Sequence, residues 1–121
     1  MSETGLYSGL YQNLHEYADL VDRVLVNIKT GRSSENDPSR QELGELLIQL
    51  AQDQLDDLPV RLIQLALQNR SDVSRADLDR AGKALVSEEI DEDTIRRLEL
   101  IAQVLEEEQT RAMSRIQRWM S

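Results

Sequence analysis

His15 is the single histidine of the chain, and its surroundings, Leu14-His15-Glu16-Tyr17-Ala18-Asp19, hold residue types that do chemistry elsewhere. A metalloprotease helix of the HExxH type needs a second imidazole one turn after the first, so that two ring nitrogens face one zinc ion while the Glu between them activates water. Here Asp19 stands at that place, and the chain has no other His and no Cys to complete a coordination shell. Carboxylates could bind metal or move protons without a histidine. A di-iron bundle, however, needs Glu-x-x-His on two helices, and that pattern is absent. The acidic run Asp91-Glu92-Asp93 could open a calcium loop only with Gly at the sixth place and Glu at the twelfth, where Arg96 and Ala102 stand. There is no Gly-rich phosphate loop and no nucleophile elbow. The expectation is a protein that is not an enzyme, with no catalytic residue, no cofactor and no metal.

A second chemistry for His15 is phosphoryl transfer from an exposed ring on a bundle helix. Histidine phosphotransfer domains, which are also small four-helix proteins, place a Lys and a small residue near their histidine, and sensor kinases put a Pro shortly after it. This chain has Tyr17, Ala18 and Asp19 instead. His15 directly follows the apolar position Leu14, at the edge of a buried stripe, where a solvated or capping histidine is the commoner arrangement.

The residues with the composition of a binding surface lie near the C-terminus. Arg111, Arg115 and Arg118 fall at i, i+4 and i+7, a basic stripe beside Met113, Ile116, Trp119 and Met120. Cations there also complement the negative end of a helix dipole, which is a sufficient structural role. Arg, Trp and Met are nevertheless the types enriched at interface centres. Arg111, Arg115, Ile116, Arg118, Trp119 and Met120 are therefore the candidate partner-binding residues.

The rest of the molecule is acidic, with a formal charge of −9 and a pI near 4.6. Phosphate neutralisation requires clustered Lys and Arg, so direct nucleic-acid binding is not expected. Helices four and five could pass for a helix-turn-helix, but the would-be recognition helix opens with Asp91, Glu92 and Asp93, which phosphate would repel. The opposite possibility is an acidic inhibitor that imitates nucleic acid, with Glu99, Glu106, Glu107 and Asp19 lining one face at near-phosphate spacing. No apolar run approaches the roughly 20 residues of a membrane span. Met1-Ser2-Glu3-Thr4-Gly5 lacks the basic and apolar regions of a signal peptide, so a cytoplasmic location is expected by elimination.

These residues must be positioned by helices. Leu, Ile, Val and Ala dominate the apolar set and Phe is absent, a palette that favours helix over strand. With 121 residues, one domain spanning 1–121 is expected. Tyr7, Leu10, Tyr11, Leu14, Tyr17, Ala18, Val21, Val24, Leu25 and Ile28 form a broad stripe on a first helix that Gly31 should stop. Asp37 before Pro38, or Ser39 with Glu42, caps a second helix carrying Leu43, Leu46, Leu47, Leu50, Ala51 and Leu55. That helix should end near Asp57, because Pro59 excludes a helical conformation at Leu58.

A third helix from Pro59, with Val60, Leu62, Ile63, Leu65, Ala66 and Leu67 around almost its whole circumference, reads as the centre of the core or of an oligomer interface. Ser74 and Asp77 box the start of a fourth, with Leu78, Ala81, Ala84 and Leu85. The last helix, Thr94 to about Trp119, carries Ile95, Leu98, Ala102, Leu105, Ala112, Ile116 and Trp119 in a narrow seam broken by Gln109. A polar residue there either fixes register or marks where the helix outruns the core.

The expected fold is thus all-α, a bundle of about five helices with the first and last the longest. Each long helix would extend about 40 Å, beyond what either the third or the fourth helix could cover alone, so the two should cover each other or a second chain should. The expected function is a non-enzymatic protein–protein interaction module, an adaptor, regulator or chaperone-like subunit acting as a homodimer.

Overall fold

The computed structural model describes residues 3–32, 37–52, 57–68, 70–87 and 90–120; at 3–7, 58–59 and 119–120 the backbone alone is described. Among the described residues five helices make up the fold: α1 (Glu3–Lys29), α2 (Pro38–Leu50), α3 (Leu58–Gln68), α4 (Arg75–Val86) and α5 (Glu92–Met120). No strand occurs among the described residues.

The stripe of α1 turns inward as its spacing requires. Leu14, Ala18, Val21, Val24 and Leu25 are buried, joined by Leu20, while Gln12, Glu16, Asp19, Asp22 and Arg23 are exposed. Gly31 ends the helix at φ +72°. Its N–H donates to the Ile28 carbonyl (3.2 Å) and that of Arg32 to Asn27 (2.8 Å), the paired bonds of a Schellman turn. A Cβ at Gly31 would meet nothing within 4 Å, so Gly31→Ala tests conformation alone. It should cost about 1 kcal/mol in urea unfolding, the penalty of a left-handed non-glycine residue. An unchanged midpoint would show that the turn is not held in that conformation.

Of the two caps foreseen for α2, the first is used: Asp37 Oδ1 accepts from Ser39 N at 3.0 Å, with Pro38 in the first turn. Two expectations about the far end are corrected. Helix α2 stops at Leu50, well before Asp57, and Leu58 is helical as the first residue of α3. The early stop has a tertiary cause. Gln64 of α3 donates its side-chain amide to the carbonyls of Leu50 (3.0 Å) and Gln52 (2.5 Å), capping α2 from outside its own sequence. Pro59 is tolerated because an N–H in the first turn has no intrahelical acceptor to lose. Asp57 caps that turn, its Oδ1 accepting from Val60 N at 3.4 Å. Leu55 lies outside the described residues.

Helix α3 is not the centre of the core. It buries Val60, Ile63, Gln64 and Leu67 on one face and leaves Leu65 46% exposed. The centre is formed by two antiparallel pairs instead. Lys29 Nζ meets Glu99 Oε1 at 3.0 Å and Gln109 meets His15, so α1 and α5 run against each other over most of their lengths. The two long stripes cover each other. Helices α2 and α4 form the second pair, crossing where Gly44 and Gly82 face each other: a Cβ built on Gly82 would lie 2.7 Å from the Gly44 carbonyl oxygen. The buried Arg40 spans the same pair, its Nε donating to the Leu85 carbonyl at 2.8 Å and its terminal nitrogen to that of Ser87.

Helix α5 begins two residues earlier than expected, and its buried face is wider than a narrow seam. Ile101, Val104 and Glu108 are buried together with Leu98, Ala102, Leu105 and Ala112. This face meets α1 on one side and the α3–α4 region on the other, where Arg97 lies 3.5 Å from Asp77.

Both acidic helix starts work as caps. Ser74 N donates to Asp77 Oδ2 and Asp77 N to Ser74 Oγ, each at 3.2 Å, while Asp91 Oδ1 accepts from the N–H and hydroxyl of Thr94, both at 2.8 Å. The Ser74 N–H, then its hydroxyl and Arg97, hold the Asp77 carboxyl below its ordinary value; the Thr94 N–H and hydroxyl do the same for Asp91. A carboxyl lowered in the folded state stabilises above its unfolded pKa, about 4, and loses that contribution as pH falls through the folded value. The melting temperature should therefore hold above about pH 5 and fall below about pH 4. An Asp77→Asn, Asp91→Asn double variant should melt lower at neutral pH and show a shallower acid limb. An acid limb as steep as wild type would remove these caps as its cause.

Candidate functional site

Helix α5 brings the predicted basic stripe to one face. Thr110, Arg111, Ser114, Arg115 and Arg118 line a shallow groove along it, and Ile116 is half-buried beside them. The side chains of Trp119 and Met120 lie outside the described residues. Arg111 is exposed and pairs with Glu108 Oε1 at 3.3 Å; Arg115 and Arg118 are each engaged in an interaction of their own.

The cover over the α1/α5 pair ends within this stripe. Leu14 on α1 and Ala112 on α5 are the last buried residues among the described side chains towards the end formed by the start of α1 and the end of α5; among residues 8–13 and 113–118 none is buried. Leu10, Tyr11, Asn13, Met113 and Ile116 are half-buried there. At 1.5 Å per residue, the helices continue roughly 12–16 Å beyond the last core layer. The projecting end thus has an apolar side and an arginine-bearing side.

Its root is fixed by a charge cluster that spacing alone does not reveal. Arg70, on the connection between α3 and α4, reaches Asp72 (2.6 Å), Glu107 (2.5 Å) and Glu108 (3.4 Å) with its side chain only 11% exposed. Its pKa is raised, chiefly by the hydrogen bonds to Asp72 and Glu107, and the Asp72 carboxyl is correspondingly lowered by Arg70. Glu108 lies between Arg70 and Arg111, so the acidic run at 106–108 anchors the α3–α4 connection to α5. Pairing also alters the predicted anionic row. Glu99 is bound to Lys29 and Asp19 to Arg23, each at 3.0 Å, and Glu107 to Arg70.

The two polar residues singled out along the long helices meet each other. His15 is exposed, its Nδ1 lies 3.1 Å from Gln109 Nε2, and its ring stacks on Tyr11 with centroids 6.3 Å apart and planes 9° from parallel. With the amide donating, Nδ1 accepts and Nε2 carries the proton of the neutral ring. Gln109 is half-buried at the seam and its contact with His15 joins α1 to α5 within one chain.

Among the described residues no three His, Asp or Glu groups converge as a metal site, and no helix is long and apolar enough to cross a membrane. Comparison with family models, with curated proteins and with solved structures returned no match.

Proposed function

We propose that this protein is a non-enzymatic interaction module that holds a protein partner at the projecting end of the α1/α5 pair. One observation carries the proposal. The pair continues past the layer of Leu14 and Ala112, and there Leu10, Tyr11, Met113 and Ile116 are left half-buried next to Arg111, Arg115 and Arg118. Apolar residues flanked by arginine are the makings of a desolvated centre with a polar rim. The fitting partner is a helix with an apolar face and an acidic border.

A second copy of the chain meets that description. Along α5 the exposed Glu106 precedes Arg111, Arg115 and Arg118, so two ends laid antiparallel would set this carboxylate of each near guanidinium groups of the other.

The test is affinity capture from the source cell with wild type, Ile116→Asp and Arg115→Glu, and with Val26→Asp as a control on an exposed residue towards the other end of α1. Specific captured proteins should survive Val26→Asp and be lost with the other two. Capture that is identical for all four proteins, or absent for all, would overturn the proposal. Sedimentation of the same proteins addresses the homodimer: a monomer at tens of micromolar would remove the second copy as partner while leaving the surface itself to the capture result.

A further inference from the structure

A cavity of about 230 Å³ lies between the C-terminal end of α2, the inner face of α3 and the start of α4. Leu50, Leu67, Val73 and Leu78, all buried, supply its apolar lining, and Gln64, Gln68, Arg70, Ser74 and Arg75 its polar lining. Most of those polar groups are already committed. Arg70 is held by three carboxylates, Ser74 is closed into its capping box with Asp77, and Arg75 is engaged in an interaction of its own. An anionic ligand would have to compete with Asp72, Glu107 and Glu108 for Arg70.

Gln64 is the buried exception, Gln68 being exposed. It is only 8% exposed, and its amide nitrogen is occupied by the Leu50 and Gln52 carbonyls, while its carboxamide oxygen has no partner among the described residues. A buried acceptor with no donor among the described residues is an uncommon arrangement, since most buried polar atoms are paired. A ligand offering one N–H or O–H would satisfy it.

Size sets the rest of the ligand. An aliphatic cavity of about 150 Å³ accepts benzene, so this one has room for a fused bicyclic ring. We infer that the cavity between α2, α3 and α4 is a binding site for a small, neutral aromatic molecule of indole size that donates one hydrogen bond to the Gln64 carboxamide oxygen. The site is separate from the α1/α5 end and does not depend on the function proposed for it.

Titrating indole into the full chain and following the methyl resonances of Leu50, Leu67, Val73 and Leu78 tests the site. Saturable shifts should appear at these methyls and be small at Val26, which is exposed on α1. Binding of 1-methylindole, which keeps the ring and removes the donor, should be weaker by roughly three- to tenfold, the worth of one hydrogen bond. Val73→Phe should fill the space and abolish binding while the chain still unfolds cooperatively. Shifts that do not saturate or that scatter over the surface would overturn the site. Equal affinity for 1-methylindole would overturn the role of Gln64, and because that comparison uses wild type it holds even if Val73→Phe fails to fold.

Discussion

Gly82→Ala should lower the melting temperature by roughly 4–12 °C, although alanine is the better helix former. The propensity gain in a helix interior is about 1 kcal/mol. Against it stands the α2/α4 crossing, where the new methyl would lie 2.7 Å from the Gly44 carbonyl oxygen, 2.8 Å from Ile48 Cγ1 and 3.0 Å from Ile48 N. Two of those three atoms are helix backbone and cannot rotate away, so the helices must separate. Separation loosens the layer formed by Leu43, Leu47, Leu78 and Leu85, all buried. Overpacking of this kind typically leaves a net loss of about 1–3 kcal/mol, and each kcal/mol moves the midpoint of a domain this size by roughly 4 °C.

Gly44→Ala should be milder. Its closest neighbour at 2.7 Å is a Val86 methyl, on a side chain 38% exposed and able to swing, although the Gly82 carbonyl remains at 3.0 Å. Gly9→Ala is the matched control, exposed on α1 with nothing within 4 Å of the new methyl, and should be neutral or stabilising. Differential scanning calorimetry of the three variants decides the matter. If Gly82→Ala melts with Gly9→Ala, the helices do not cross at the distance described.

How the fold was legible follows from which interactions are local. The α1 stripe, the Gly31 stop, the Asp37 and Ser74 caps and the length of α5 all depend on residues within one turn of each other, and each is visible in spacing. The end of α2 is not, because Gln64 sets it from the next helix. At α3 circumferential hydrophobicity did not mark the centre of the core: Leu65 is exposed on the single chain, and the oligomer-interface reading stays a proposal. A signal for the α2/α4 crossing was present in principle: Gly44 and Gly82 are helix-interior glycines, which usually have a packing reason. The candidate site divides the same way. That Arg111, Arg115 and Arg118 share a face is helix geometry, whereas the end of the core at Ala112 depends on packing against α1 and the burial of Glu108 on Arg70, 38 residues away along the chain.

Arg40 had no sequence signal at all, and its removal should rank with the glycine change in effect. Arg40→Met keeps much of the stem volume but strands the carbonyls of Leu85 and Ser87, at the C-terminal end of α4 where carbonyls lack intrahelical partners. Arg40 is 4% exposed and its described acceptors are carbonyls, so its guanidinium also meets the negative end of the α4 dipole. Losing two charge-assisted bonds at a buried site should cost about 2–4 kcal/mol in urea unfolding. Arg40→Lys should recover less than half of that, since an ammonium on a shorter stem cannot reproduce the two-pronged reach. Full recovery by lysine would assign the effect to charge alone. Because Arg40 and the glycines hold the same two helices together, their effects should not add. Once Gly82→Ala has forced α2 from α4, the Arg40 bonds are already strained, and Gly82→Ala combined with Arg40→Met should cost less than the sum of the single changes. Strict additivity would mean that the polar clamp and the glycine crossing act independently, and that α2 can shift at one without being felt at the other.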